Sequence, residues 1–285
     1  MQSINPFNRP LARFLIPTLI LLYVGSDYLL TYIIDHSTTY LKWYWYSLID
    51  MYVFYPTLLL SVIWIGRSTG VSIRQLMGKT ISPFPYPTLL GQSIFLYILA
   101  LASIYITFYP LSFIRPDFVT EWYINGLSNV YVSEEGFPLL PNILNFIGVT
   151  TIVPITEELL FRGYLFTRWA HCWSIRKAAV LSSLLFALLH VDMLGSFIFG
   201  LAMVAIYVKT RSLLTIIVIH VFFNTIGMCW GYAELYLYGY DYEYTLETFQ
   251  REWWLGLVSI ILMVPWALKY IKSYIPKNHW ILPYQ

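Results

Sequence analysis

Apolar runs of membrane-spanning length recur along this chain, and no other feature constrains its fold as strongly. A backbone in hydrocarbon has no water to bond, so a spanning run satisfies its N–H and C=O groups internally, as a helix. The runs fall at about 11–34, 44–65, 89–109, 141–166, 178–190, 194–208, 213–230 and 253–270. The fifth and sixth are short for a hydrocarbon core of about 30 Å crossed at about 1.5 Å per residue, which places their joint at Val191-Asp192-Met193 below the surface. Hydrophobic residues make up 58% of the 285 and charged ones 11%, against roughly 25% charged in a soluble domain. The expectation is all-α: a polytopic transmembrane helical bundle of about eight spans, forming a single membrane domain over 1–285.

Charge sets the orientation. Arg9 and Arg13, then Arg67, Arg74 and Lys79, then Arg168, Arg176 and Lys177, then Lys209 and Arg211, and finally Lys272 and Lys277 fall at the start, in alternate connections and in the tail. The positive-inside bias puts these stretches, and with them the N- and C-termini, in the cytoplasm. The first run exceeds a signal-peptide core and lacks a small-residue cleavage site, so it is expected to remain as a span. This suits an integral, multi-pass protein of a prokaryotic plasma membrane. Aromatic clusters such as Trp43-Tyr44-Trp45-Tyr46 and Trp253-Trp254 sit at span ends, as interfacial belts do. The alternating Tyr236, Tyr238, Tyr240, Tyr242 and Tyr244 read as an interfacial aromatic loop, and the stretch around Trp122 and Tyr123 as a second interfacial segment. Asp27 and Asp50 are expected near an interface or beside a polar neighbour. Cys172 and Cys229 fall on opposite sides, which argues against a disulfide. The partners implied are the lipid bilayer and no nucleic acid.

The fourth run carries an anomaly: Glu157, Glu158 and Arg162 lie inside it. Ionised groups at membrane depth are costly and face a bundle interior or a wet cavity. A spacing of four puts Glu158 and Arg162 on one helical face, where they pair; Glu157 then needs a partner from another helix. His190, His220 and Asn224 are the available groups. Phe186 with His190, and His220 with Asn224, repeat the spacing of four. A carboxylate, two imidazoles and a carboxamide supply what peptide hydrolysis needs: a base, a group to orient water, and donors for a developing oxyanion. Pro154, three residues before Glu157, has no N–H to donate and loosens that helix. Counting along straight helices leaves Glu157 and His190 about 10 Å apart in depth. Short fifth and sixth helices sitting low toward the cytoplasm, with Asp192 lining a cavity, would close that gap.

The segments Glu157-Glu158-Leu159-Leu160-Phe161-Arg162, Phe186-Ala187-Leu188-Leu189-His190 and His220-Val221-Phe222-Phe223-Asn224 resemble the EExxxR, FxxxH and HxxxN motifs of the CAAX protease and bacteriocin-processing family of intramembrane endopeptidases. The resemblance covers residues 145–228 and places a catalytic core at about 141–231. It implies that Glu157 and His190 activate water, that His220 and Asn224 form an oxyanion hole, and that Glu158, Arg162 and Phe186 give structural support. No metal and no other cofactor is implied. The substrate implied is a membrane-associated or C-terminally processed peptide or protein. Three alternatives stand beside this: a zinc-dependent hydrolase using Glu157, His190 and His220, a non-catalytic immunity protein, and a proton-coupled transporter.

Overall fold

The computed structural model describes residues 14–36, 42–78, 85–127, 130–240 and 242–274. Arg9, Arg13, Lys79, Lys277 and the side chain of Lys272, which entered the reading of sidedness, lie outside the described residues. The long helices are α1 (Leu15–His36), α2 (Trp43–Thr69), α3 (Tyr86–Ile114), α4 (Leu139–Cys172), α5 (Ile175–Ala187), α6 (Met193–Thr210), α7 (Leu213–Tyr238) and α8 (Trp253–Tyr274). Among the described residues, five of them, α2, α3, α4, α6 and α7, are long and apolar enough to cross a membrane, and shorter apolar stretches cover Ile16–Tyr32 and Trp253–Leu268. The described residues hold no strand beyond an isolated bridge between Ser133 and Gly136. The protein is an all-α polytopic bundle.

Contacts between helices give their relative directions. Along α2 and α4, Tyr52 meets Leu144, Tyr55 meets Glu157 and Thr69 meets Tyr164, so the two run the same way. Between α4 and α7 the pairs are Asn142 with Tyr232, Val149 with Asn224 and Glu158 with His220, which is antiparallel. α3 runs with α7, through Ser93 to Ile219 and Tyr97 against Phe223. It runs against α8, where Phe95 stacks on Trp266 and Gly256 lies on Tyr105. Every one of these directions is what successive crossings of one layer require.

Three consecutive helices start where a short polar side chain satisfies a backbone donor that has no partner in the first turn. Ser174 accepts from Lys177 N at the head of α5, Asp192 from Gly195 N at α6, and Ser212 from Thr215 N at α7. Asp192 is therefore a cap. Its second oxygen accepts from Ser103 Oγ on α3 at 2.5 Å. The outward faces carry Leu21, Leu60, Trp64, Phe113, Ile261 and Trp266, all largely exposed, as helices solvated by acyl chains must be.

Two helix ends differ from the sequence reading. α7 runs two turns past Trp230 to Tyr238, because Gly239, at φ 89°, supplies the cap and donates to Leu235 O. Tyr236 and Tyr238 are thus helical, and only Tyr240 to Tyr244 fall in a connection; Tyr238 stacks on Tyr242 at 4.5 Å. α5 stops at Ala187, so His190 stands in the turn beyond it and counting depth along a straight helix does not apply. The segment around Trp122 is helical, running from Pro116 through a π turn to Leu127; Tyr123 packs inward on Phe108 while Trp122 is exposed. Asp50 finds the polar neighbour expected of it in Ser26. Outside the spans, Lys42 pairs with Glu135, whose hydrogen bond holds the ammonium above its ordinary pKa.

Small residues let these helices approach. A Cβ at Gly256 would land on the ring root of Tyr105, which cannot swing away, whereas one at Gly148 would clash with the flexible end of Met51 and make an ordinary contact with Tyr52. Gly256→Ala is expected to cost about 1–3 kcal/mol by overpacking and Gly148→Ala clearly less, read as thermal unfolding in detergent. Equal losses would contradict this helix packing.

Candidate active site

The site begins with how α4 copes with Pro154. The helix is α from Leu139 to Ile147, π from Gly148 to Ile152, α from Val153 to Glu158, π from Leu159 to Phe166 and α again to Cys172. Proline removes a donor from the ladder, which leaves Thr150 O, or Val149 O in a π register, without its helical N–H; Val149 O is met by Asn224 Nδ2, and threonine hydroxyls bond other carbonyls of this helix. Thr150 Oγ1 donates to Phe146 O at 2.7 Å, Thr156 Oγ1 to Ile152 O at 2.8 Å, and Thr167 Oγ1 to Arg162 O, five residues back, at 3.0 Å. A six-residue α segment carrying both glutamates is thereby held between two π segments. Such interruptions are rare and concentrate at functional sites.

Glu158 is fully buried and its Oε1 accepts two bonds, from Arg162 Nη1 at 2.9 Å and from His220 Nδ1 at 2.8 Å. The pair inferred from spacing forms, and the histidine of α7 joins it. Glu157 also meets α7: its Oε2 lies 3.8 Å from His220 Nε2. Its Oε1 lies 3.5 Å from the hydroxyl of Tyr55 on α2, a long hydrogen bond with the phenol donating. Among the described residues, Glu157 Oε2, Glu158 Oε2 and Arg162 Nη2 are buried and find no hydrogen-bond partner. The opposite face of the Arg162 guanidinium is occupied by aromatic carbon: its Cζ sits 4.4 Å from the centre of the Phe186 ring, a cation–π contact.

Phe186 connects the remaining groups. Its ring meets Phe161 edge-on at 5.2 Å, Phe199 at 5.9 Å, His220 at 6.3 Å and His190 at 4.3 Å. His190, half-buried, turns its Nδ1 back to Phe186 O at 2.8 Å, satisfying a carbonyl of the last turn of α5. A carbonyl only accepts, so Nδ1 carries the proton and Nε2 keeps its lone pair. Asn224 stands one turn beyond His220 on α7 and donates from Nδ2 to Val149 O, inside the first π segment, at 2.8 Å.

Glu157, Glu158, Arg162, Phe186 and His220 therefore form one contact cluster, His190 joins through Phe186, and Asn224 is tied to the backbone of α4 beside it. Two participants escaped the sequence reading. Tyr55 lies in an aromatic-rich span with no spacing signal toward a helix far along the chain. Phe199, whose ring is 5.0 Å from that of His220, looks like any span residue. Among the described residues no group of three His, Cys, Asp or Glu side chains is placed to hold a metal ion.

Comparison with known proteins gives this geometry its class. The family model of the type II CAAX prenyl endopeptidase Rce1-like proteins matches residues 139–226, the stretch that holds all three motifs. A UPF0177 protein, YbdI, of Lactococcus lactis subsp. lactis (strain IL1403) is 33% identical over 163 residues, which are 55% of this chain and 81% of the relative. A 24.3 kDa protein of Escherichia coli is 28% identical over 97 residues, 31% of this chain and 45% of that protein. No solved structure matches. The chain belongs to the Rce1-like family of CAAX-type intramembrane proteases, and it is a hydrolase embedded in a membrane.

Removing one partner of a buried pair leaves an uncompensated charge, which costs about 3–5 kcal/mol. Arg162→Met is expected to destabilise by that order in thermal or denaturant unfolding in micelles, and Glu158→Gln added to it to recover part of the loss. Additive losses in the double variant would show that the ion pair is not what Arg162 supplies.

Proposed function

We propose that the protein hydrolyses a peptide bond of a membrane-associated substrate with water activated by Glu157 and His190. The observation that carries this reading is the convergence of α4 and α7: His220 touches both glutamates while Asn224, one turn on, is held against the same helix. The Nε2 of His190 and the Oε2 of Glu157, which has no hydrogen bond among the described residues, are the acceptors offered to a water. In the attack, water oxygen bonds to the carbonyl carbon while its proton passes to this base pair. The base then returns the proton to the leaving nitrogen as the C–N bond breaks, giving a carboxylic acid and an amine, between which the acid's remaining proton passes to leave carboxylate and ammonium.

The oxyanion formed in between needs donors already in place. Asn224 Nδ2 has two N–H groups and spends one on Val149 O, leaving one to offer. His220, held by Glu158 through Nδ1, is the second group this reading places beside the oxyanion. Glu158 and Arg162 then act as the frame that holds His220.

In this reading the catalytic core spans about 141–231, eight helices cross the membrane with both termini cytoplasmic, and water is activated without a metal. The substrate class is a C-terminally processed protein or peptide, and the family description favours a prenylated one. Relatives in Lactococcus lactis and Escherichia coli support a prokaryotic plasma membrane.

Mass spectrometry of C-terminal membrane peptides, in cells carrying the native protein or Glu157→Gln, is the direct test. Turnover is expected to fall by about 10²–10⁴ for Glu157→Gln and about 10²–10³ for Asn224→Ala, with the fold intact. Unchanged peptide patterns in Glu157→Gln would sink the hydrolase reading. Activity lost to a chelator and restored by zinc would replace it with a metal-dependent one.

A further inference from the structure

Tyr55 lies on α2, outside the three motifs and outside the stretch the family model matches, yet its hydroxyl reaches the carboxylate assigned above as the base. Its height on α4 is fixed by neighbours on either side. Toward the start of α2, Tyr52 donates to Leu144 O at 2.9 Å and Met51 lies against Gly148. Toward its end, Thr69 and Tyr164 share a hydrogen bond of 3.1 Å. The Tyr55 ring is packed edge-on against Phe54 at 5.1 Å, and Pro56 follows it directly. α2 thus presents one phenol to α4 from a registered position.

The two oxygens of Glu157 are not equivalent. Oε1 faces the Tyr55 hydroxyl, while Oε2 is buried, has no hydrogen bond among the described residues, and lies 3.8 Å from His220 Nε2. A carboxylate with nothing on Oε1 is free to rotate about its last bond and to be drawn to the cations of the cluster, Arg162 and His220. We infer that Tyr55 is a positioning residue for Glu157: its phenol holds Oε1 so that Oε2 remains the oxygen presented to water. This rests on the hydrolase reading. At 3.5 Å the bond is long, as catalytic hydrogen bonds often are before substrate tightens the site.

The test uses the full-length protein in lipid vesicles as wild type, Glu157→Gln and Tyr55→Phe. The phenylalanine keeps the ring and removes only the hydroxyl. Infrared difference spectra of wild type against Glu157→Gln identify the Glu157 carboxylate band without any substrate; Tyr55→Phe is expected to move that band and to leave the melting temperature unchanged. With a farnesylated peptide ending in a CAAX sequence as probe, Tyr55→Phe is expected to lower kcat about tenfold to hundredfold at unchanged KM, the effect of losing a hydrogen bond to a charged group. A band that stays in place overturns the inference. So does a variant whose melting temperature falls and whose KM rises at constant kcat, since that describes packing. If Glu157→Gln abolishes cleavage while Tyr55→Phe equals wild type in band and kcat, this inference fails and the hydrolase reading stands. If Glu157→Gln cleaves like wild type, both fail.

Discussion

One carboxylate oxygen organises the interior of this protein. Glu158 Oε1 accepts from Arg162 on its own helix and from His220 on α7. In water such contacts would contribute little, because solvent competes for every partner. Inside an apolar bundle an unpaired charge costs several kcal/mol, so the three groups have no good alternative to one another. The interaction locks the rotation of α7 against α4, and with it the side to which Asn224 points. Breaking it would disturb the frame before it disturbed any chemistry.

The aromatic surroundings complete the same device. Arg162 has one edge on Glu158 and a face on Phe186, whose ring also meets His190 and His220. A guanidinium is suited to this, since its plane stacks on a ring while its edge donates. Phe186 is thus more than filler between helices: it is the surface that places a cation and two imidazoles around one point. Lipid supplies no hydrophobic force between helices, so close contact of small residues and such polar and aromatic links must hold the bundle together.

The backbone of α4 is shaped by this arrangement. Pro154 takes a donor out of the ladder, π segments flank it on both sides, and Asn224 of α7 bonds Val149 O five residues before it. A regular helix would present its residues at even spacing; this one interrupts the pattern on both sides of Glu157 and Glu158. The consequence is that Glu157 can face α2 and α7 together, with Tyr55 on one oxygen and His220 near the other.

Hydropathy alone determined the all-α membrane class and the order of the helices, because unsatisfied backbone in hydrocarbon leaves no other local choice. Spacing of four also determined the Glu158–Arg162 pair, since both residues share a helix and their distance is set by its pitch. Helix ends were less legible: Gly239 extends α7 past Trp230, and His190 leaves its helix to bond Phe186 O, outcomes that depend on single caps. What only the tertiary structure decided is the meeting of α2, α4 and α7, which puts Tyr55 on Glu157 and gives His220 to Glu158. Those residues are separated by 102 and 62 positions, and no periodicity within one helix carries information about which face of another it will touch.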